Sequence, residues 1–160
     1  MFHIVLFQPE IPQNTGNIVR TAAATGSILH LVKPLGFQLD EAHLKRAGLD
    51  YWDKTEIVIH ESQEEFLQEH KSDRLFFLSS KGAHSYTEVS FQDGDYLIFG
   101  RETKGIDEDI LKAHQENTLR LPMKPGIRCL NLSNAVAIVV YEALRQNNFP
   151  EFQLEGKLKG

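Results

Sequence analysis

The strongest constraint on how this chain folds is a set of short apolar runs that do not alternate. They read I-V-L-F at 4–7, I-L-H-L-V at 28–32, L-F-F-L at 75–78 and Y-L-I-F at 96–99. A strand with one wet face alternates apolar and polar residues. A continuous run implies burial on both faces, as in a parallel sheet covered by helices. Between the runs lie segments with helical punctuation. Residues 2–7 read as a strand and 12–25 as a helix, with Asn14 or Thr15 as its N-cap and Gly26 as its stop. Strands are expected at 28–32, 56–60, 74–79, 96–99 and 118–121. Helices are expected at 41–47, from a Ser62–Glu65 capping box to about residue 70, at 107–114, and at 133–147 with Ser133 and Asn134 as caps. The expected fold is α/β, in three layers, with a mostly parallel sheet and a single domain over 1–160.

A chain of 160 residues supports a substantial core. No apolar run is long enough to cross a bilayer. The opening M-F-H-I-V-L-F has no lysine or arginine and soon meets Pro9 and Pro12, so it reads as a first strand rather than a signal peptide. The single cysteine, Cys129, forms no internal disulfide, and a reducing cytoplasm is the expected compartment. The formal net charge of −5 argues against a binder that holds nucleic acid by bulk positive charge. A local basic patch is still open, since Arg120, Lys124 and Arg128 lie in an acid-free stretch between Glu116 and Glu142.

Three polar blocks follow the apolar runs: N-T-G-N-I-V-R at 14–20, F-G-R-E-T-K-G at 99–105 and N-L-S-N-A at 131–135. In open α/β sheets, ligands sit beyond the carboxyl ends of the strands, where these blocks fall. Other chemistries find little support. The seven histidines are scattered, without the paired spacing that puts two imidazoles on one helix face, so no metal site is expected. Gly100 and Gly105 have phosphate-loop spacing, but Ile106 stands where the lysine belongs. No G-x-G-x-x-G follows the first strand, and there is no G-x-S-x-G nucleophile elbow. Cys129 lacks a base partner and reads as a structural or pocket-lining thiol.

Each block has two readings. Asn14, Asn17 and Arg20 recur every three residues and are expected to share a helix face suited to a ribose–phosphate backbone; a capped helix with one surface arginine fits as well. Gly100 lets a ligand lie against bare backbone, whereas a plain strand-to-helix turn explains the glycines but not the charges between them. Ser133 and Asn134 are good caps. The stiff segment before them, L-P-M-K-P-G-I-R-C-L at 121–130, can wrap a flat ring between its backbone and Leu121, Cys129 and Leu130.

Taken in this order, the N-T-G-N-I-x-R, F-G-x-E-x-x-G and N-L-S-N-A-V-A blocks resemble the motifs of the SPOUT class of RNA methyltransferases, in its ribose 2′-O branch. The opening I-P-Q-N-T-G-N and the compact length are similar to the small single-domain TrmL (YibK) type, which methylates the wobble ribose of leucine tRNAs. The resemblance covers essentially the whole chain. It implies a deep trefoil knot at the C-terminal end, S-adenosylmethionine as methyl donor, and a homodimer in which the partner completes each site. It further implies that Leu78, Gly100, Leu121, Cys129 and Leu130 line the cofactor pocket and that Glu102, Gly105 and Ser133 shape it. Arg20 matches the catalytic arginine, Asn14 supports it, and Tyr141 matches a tyrosine near the RNA. A target in ribosomal RNA or elsewhere in tRNA is an alternative, as is a knotted protein that binds RNA or nucleoside without catalysis.

Overall fold

A computed structural model describes residues 1–39 and 51–159. The strands are β1 (His3–Phe7), β2 (Ile28–Val32), β3 (Ile57–His60), β4 (Leu75–Leu78), β5 (His84–Ser85), β6 (Tyr96–Phe99) and β7 (Thr118–Arg120). The α-helices are α1 (Pro12–Thr25), α2 (Gln63–Glu69), α3 (Glu108–Ala113) and α4 (Leu132–Gln146). The strands form one sheet in the order β3-β2-β1-β6-β4-β7-β5. Every pairing in it is parallel, so the expected mostly parallel sheet is parallel throughout. The helix expected at 41–47 lies outside the described residues.

Both faces of the sheet are covered. Ile4, Leu6, Leu97 and Phe99 point to the face on which α1 packs against α4, through Ile18, Val19, Val136 and Val140. Val5, Phe7, Phe77 and Ile98 point to the other face, under Phe66 of α2 and Leu111 of α3. Two-sided burial is why the apolar runs are continuous. Each fully buried Leu, Ile or Phe contributes about 1.5–3 kcal/mol by leaving water.

The strand order creates a crevice. From β1 the chain runs outward through β2 to the edge strand β3, then crosses to β4 on the far side, and β6 later inserts between β1 and β4. The connections leaving β1 and β6 therefore diverge, which opens a space at the carboxyl ends of these neighbours.

Local signals were partly misplaced. Helix α1 starts at Pro12, as expected, but its N-cap is Ile11, which has no capping side chain. Asn14 and Thr15 are buried inside the first turn, and the carboxylate of Glu102, from a loop distant in sequence, takes the N–H groups of Glu10 and Ile11 just ahead of the helix. Gly26 stops α1 in the left-handed conformation at φ 66°. Helix α4 is capped by Asn131, whose side chain accepts from the Ser133 N–H at 2.9 Å, rather than by Ser133 or Asn134. Ser62 caps α2 by accepting from the Glu65 N–H, while a full reciprocal box occurs at Ser85 and Glu88. The short edge strand β5 carries no apolar run and was not expected.

The histidines are not all scattered. His3, His30 and His60 stand on neighbouring strands and touch in series, and His70 closes on them. His30 and His60 are buried rather than at the surface. Burial, reinforced by the neighbouring imidazoles, pushes His30 down to about 3.

Candidate active site

A cavity of about 560 Å³ opens at the carboxyl ends of β1, β6, β4 and β7. That size is ordinary for a site that encloses a small organic ligand. Four segments wall it: residues 11–14 after β1, which include the start of α1, 79–81 after β4, 100–106 after β6, and 121–132 after β7, which reach the start of α4.

The loop after β6 folds back on itself. Gly105 donates its N–H to the Arg101 carbonyl at 2.8 Å and adopts φ 67°, which a glycine takes without strain. This brings Gly105 so near Gly100 that a Cβ on Gly100 would stand 2.2 Å from the Gly105 carbonyl carbon. Gly100 is thus required by the crossing of backbone on backbone, and residues 100–106 of the turn line the cavity.

Glu102 fastens this turn to α1. Its carboxylate accepts the Glu10 N–H at 2.9 Å, the Ile11 N–H at 2.8 Å and the Asn14 side-chain amide at 3.2 Å. These are N–H groups at the start of α1, where a negative charge is favoured. Glu10 returns the exchange: its carboxylate accepts from the Thr103 N–H at 3.0 Å and the Thr103 hydroxyl at 2.8 Å. Those two hydrogen bonds hold the Glu10 carboxyl below its usual range.

The walls are mixed in character. Leu78, Leu121, Met123 and Leu130 supply apolar surface, and Cys129 lies among them as an exposed free thiol. Around the rim stand Lys81, Arg101, Lys104 and Arg128. Lys81 pairs with Glu108 and Arg101 with Asp107, whereas Lys104 and Arg128 have no carboxylate partner among the described residues. The Arg101 Nε is buried with no hydrogen-bond partner. Apolar walls and a polar, cationic rim suit a flat heteroaromatic ring carrying polar substituents.

Of the residues expected to bind cofactor, Leu78, Gly100, Glu102, Gly105, Leu121, Cys129 and Leu130 all line the cavity. Ser133 stands behind the wall and donates its hydroxyl to the Asn131 side chain at 2.6 Å. Of the residues expected near the chemistry, Asn14 lines the cavity, with its amide committed to Glu102. Arg20 does not line it: its guanidinium lies 5.2 Å from the centre of the Tyr51 ring. Asn14 is buried while Asn17 and Arg20 are exposed, so the three do not share one face. Steps of about 100° per residue turn Arg20 some 120° away from Asn14. Tyr141 is exposed on α4 beside Phe149, away from the cavity.

Sequence reasoning missed Glu10 and Thr103, which look like ordinary surface residues until the two loops meet. It also missed residues 79–81. There a signal existed, since S-S-K-G directly follows the apolar run of β4 as the other polar blocks follow theirs.

The model of the SpoU rRNA methylase family matches residues 1–141. The chain belongs to that family. It is 50% identical over 151 residues to the tRNA (cytidine(34)-2′-O)-methyltransferase of Escherichia coli strain K12, covering 94% of this chain and 96% of that one. The protein of the same name from Saccharophagus degradans is 51% identical over 150 residues, covering 93% and 97%. A solved structure addressing the 2-OH methylation of C/U34 on tRNA superposes with a TM-score of 0.87 at 49% identity, covering 93% of this chain and 97% of that one. The SpoU methyltransferase AviRb of Streptomyces viridochromogenes, solved with AdoMet, has a TM-score of 0.80 at 22% identity over 92% of this chain and 60% of its own. That more distant likeness is one of fold. Each of the three polar blocks, at 14–20, 99–105 and 131–135, contributes residues to the cavity wall.

Proposed function

We propose that this SpoU family member methylates the ribose 2′-hydroxyl of the wobble nucleotide, position 34, in tRNA. Cytidine or a modified uridine of leucine tRNAs is the substrate, and S-adenosylmethionine is the donor. The observation that carries the reading is the convergence of all three family blocks on one cavity, in a chain half identical to the E. coli tRNA enzyme over nearly the full length of both. With the family comes the deep trefoil knot at the C-terminal end.

The cavity fits the donor. Peptide groups of 100–105 would recognise its base, Leu78, Leu121, Cys129 and Leu130 would cover its flat faces, and Glu102 and Ser133 would hold the loops in place. The donor supplies an electrophilic methyl group. The protein's part is to align the 2′-oxygen with it and keep water away. An arginine stays protonated, so Arg20 is no base. It holds a phosphate of the RNA and steadies the negative charge growing on the 2′-oxygen, and the proton leaves to a phosphate oxygen or water.

Arg20 and Tyr141 lie outside the cavity of their own chain, which supports a homodimer in which a second copy brings them to it. The exposed Ile11, Ile138 and Tyr141 provide apolar surface for such a contact. The enzyme works in the cytoplasm, on few phosphates, through the rim cations.

The test is incubation of the protein with labelled S-adenosylmethionine and total tRNA, followed by mapping of the modified ribose. A single 2′-O-methyl group at position 34 is expected. Transfer to ribosomal RNA or to another tRNA position overturns the substrate assignment, and absence of any transfer overturns the enzyme.

A further inference from the structure

The histidine cluster lies on the α2 side of the sheet and takes no part in the cavity. His3 Nδ1 stands 2.8 Å from His30 Nε2, and His30 Nδ1 stands 2.9 Å from His60 Nε2. Each contact needs one nitrogen that donates and one that accepts. A doubly protonated ring has no acceptor, so His30, which both donates and accepts, is neutral. Two directions of donation satisfy the series. In one, His60 would present an N–H at Nδ1 to Glu69, but Glu69 Oε2 is 3.9 Å away, beyond hydrogen-bonding distance. In the other, His60 donates from Nε2 to His30, His30 donates to His3, and His60 Nδ1 is left as a bare lone pair.

That lone pair faces further donors. His70 gives its Nδ1–H to Asp73 at 2.9 Å, which leaves Nε2 as its other ring nitrogen. His60, Glu69 and His70 each offer one ligand atom, all within 4.8 Å of one another. A separation of 3.9 Å between His60 Nδ1 and Glu69 Oε2 is long for a hydrogen bond but close to that of two atoms flanking one ion with bonds of about 2.0–2.2 Å.

We propose that His60, Glu69 and His70 form a divalent-cation site of the zinc class, with water as the fourth ligand, that ties the edge strand β3 to the end of α2. Two imidazoles and a carboxylate are a zinc-type donor set. The surroundings match what such ligands need. Each histidine has its second nitrogen committed, His60 to His30 and His70 to Asp73, which fixes ring orientation as outer partners do in metal sites. His60 is buried, with Phe66 edge-on at 5.0 Å, while Glu69 is about half exposed and gives an ion its way in. The ion would be structural, since the cavity is built from other strands' ends.

The experiment uses the full chain, stripped with chelator and titrated with Zn²⁺ alone by calorimetry, and with Co²⁺ by visible absorption. One equivalent of Zn²⁺ is expected, with a tetrahedral-type Co²⁺ spectrum and a rise in thermal midpoint. Glu69→Gln and His70→Ala each remove one ligand of the proposed site. Each should weaken binding by at least about tenfold, with an unaltered circular dichroism spectrum and unchanged affinity for S-adenosylhomocysteine. Less than one equivalent bound, or binding that survives both substitutions and is lost in Cys129→Ser, overturns the site.

Discussion

Glu10 and Glu102 exchange partners beside the cavity: Glu102 accepts the backbone N–H of Glu10, and Glu10 accepts both the N–H and the hydroxyl of Thr103 next to Glu102. Ninety-two residues separate the two loops in sequence, and this exchange joins the carboxyl ends of β1 and β6.

Removing Glu102 should therefore do more than delete a charge at the rim. Glu102→Ala strands the N–H groups of Glu10 and Ile11 at the start of α1 and frees the 100–105 turn. Hydrogen bonds to a charged group are worth about 1.5–3 kcal/mol each. With water replacing part of the loss, a net destabilisation of about 2 kcal/mol is expected in urea unfolding, with weaker binding of S-adenosylhomocysteine. Glu102→Gln, which keeps one acceptor, should fall between.

Acid should loosen the same joint. Hydrogen bonds from Thr103 lower the Glu10 carboxyl below its usual value, so folding favours its ionised form. A group depressed in the folded state stabilises it above the unfolded value, and that contribution is lost as pH falls through the folded value. The contribution of Glu10 should hold at neutral pH and fade below about pH 4. A Glu10→Gln variant should lose it at neutral pH, so the gap in stability between wild type and variant narrows with acid. A constant gap from pH 7 to acid would count against this role.

Gly100→Ala tests the turn itself. The added Cβ meets the backbone of Gly105 at 2.2 Å and of Ile106 at 2.4 Å, and backbone has no rotamer by which to give way. Overpacking of this kind costs about 1–3 kcal/mol. The chain should still fold on its two buried faces, shown by cooperative unfolding, but with the loop displaced.

Arg20→Ala should leave the cavity intact and remove the chemistry. Loss of one group that stabilises a developing oxyanion costs about 10²–10³ in turnover. Cofactor affinity should not change. Mixing Arg20→Ala with Gly100→Ala should restore part of the activity, because a mixed dimer of the proposed kind would hold one site with a sound cavity and a partner's Arg20. No recovery in mixed dimers would place the arginine and the cavity in the same chain.

The layered fold was legible because burial on both faces leaves a plain mark, runs such as L-F-F-L in β4 and Y-L-I-F in β6. Helix α1 was legible at both ends, since Pro12 and Gly26 act locally. The partner of the N–H groups just ahead of it was not, because Glu102 comes from a loop distant in sequence. The histidine series was hidden for the same reason. It depends on register, Val5 opposite His30 and Val32 opposite His60, which no spacing along the chain displays. Most of the cavity wall could be named from the motifs, since their residues contact the site through their own loops. Arg20 and Tyr141, expected near the chemistry, lie outside the cavity of their own chain, and their part in the reaction rests on the proposed homodimer.

The most direct test of the central claim is calorimetric titration of S-adenosylhomocysteine into the folded wild-type chain and into Arg20→Ala and Gly100→Ala. One equivalent per chain should bind to the wild type and to Arg20→Ala with equal affinity, and binding to Gly100→Ala should be lost or greatly weakened. A well-folded wild type with no affinity for the ligand, or a Gly100→Ala variant that binds it as tightly, would contradict the assignment of this cavity.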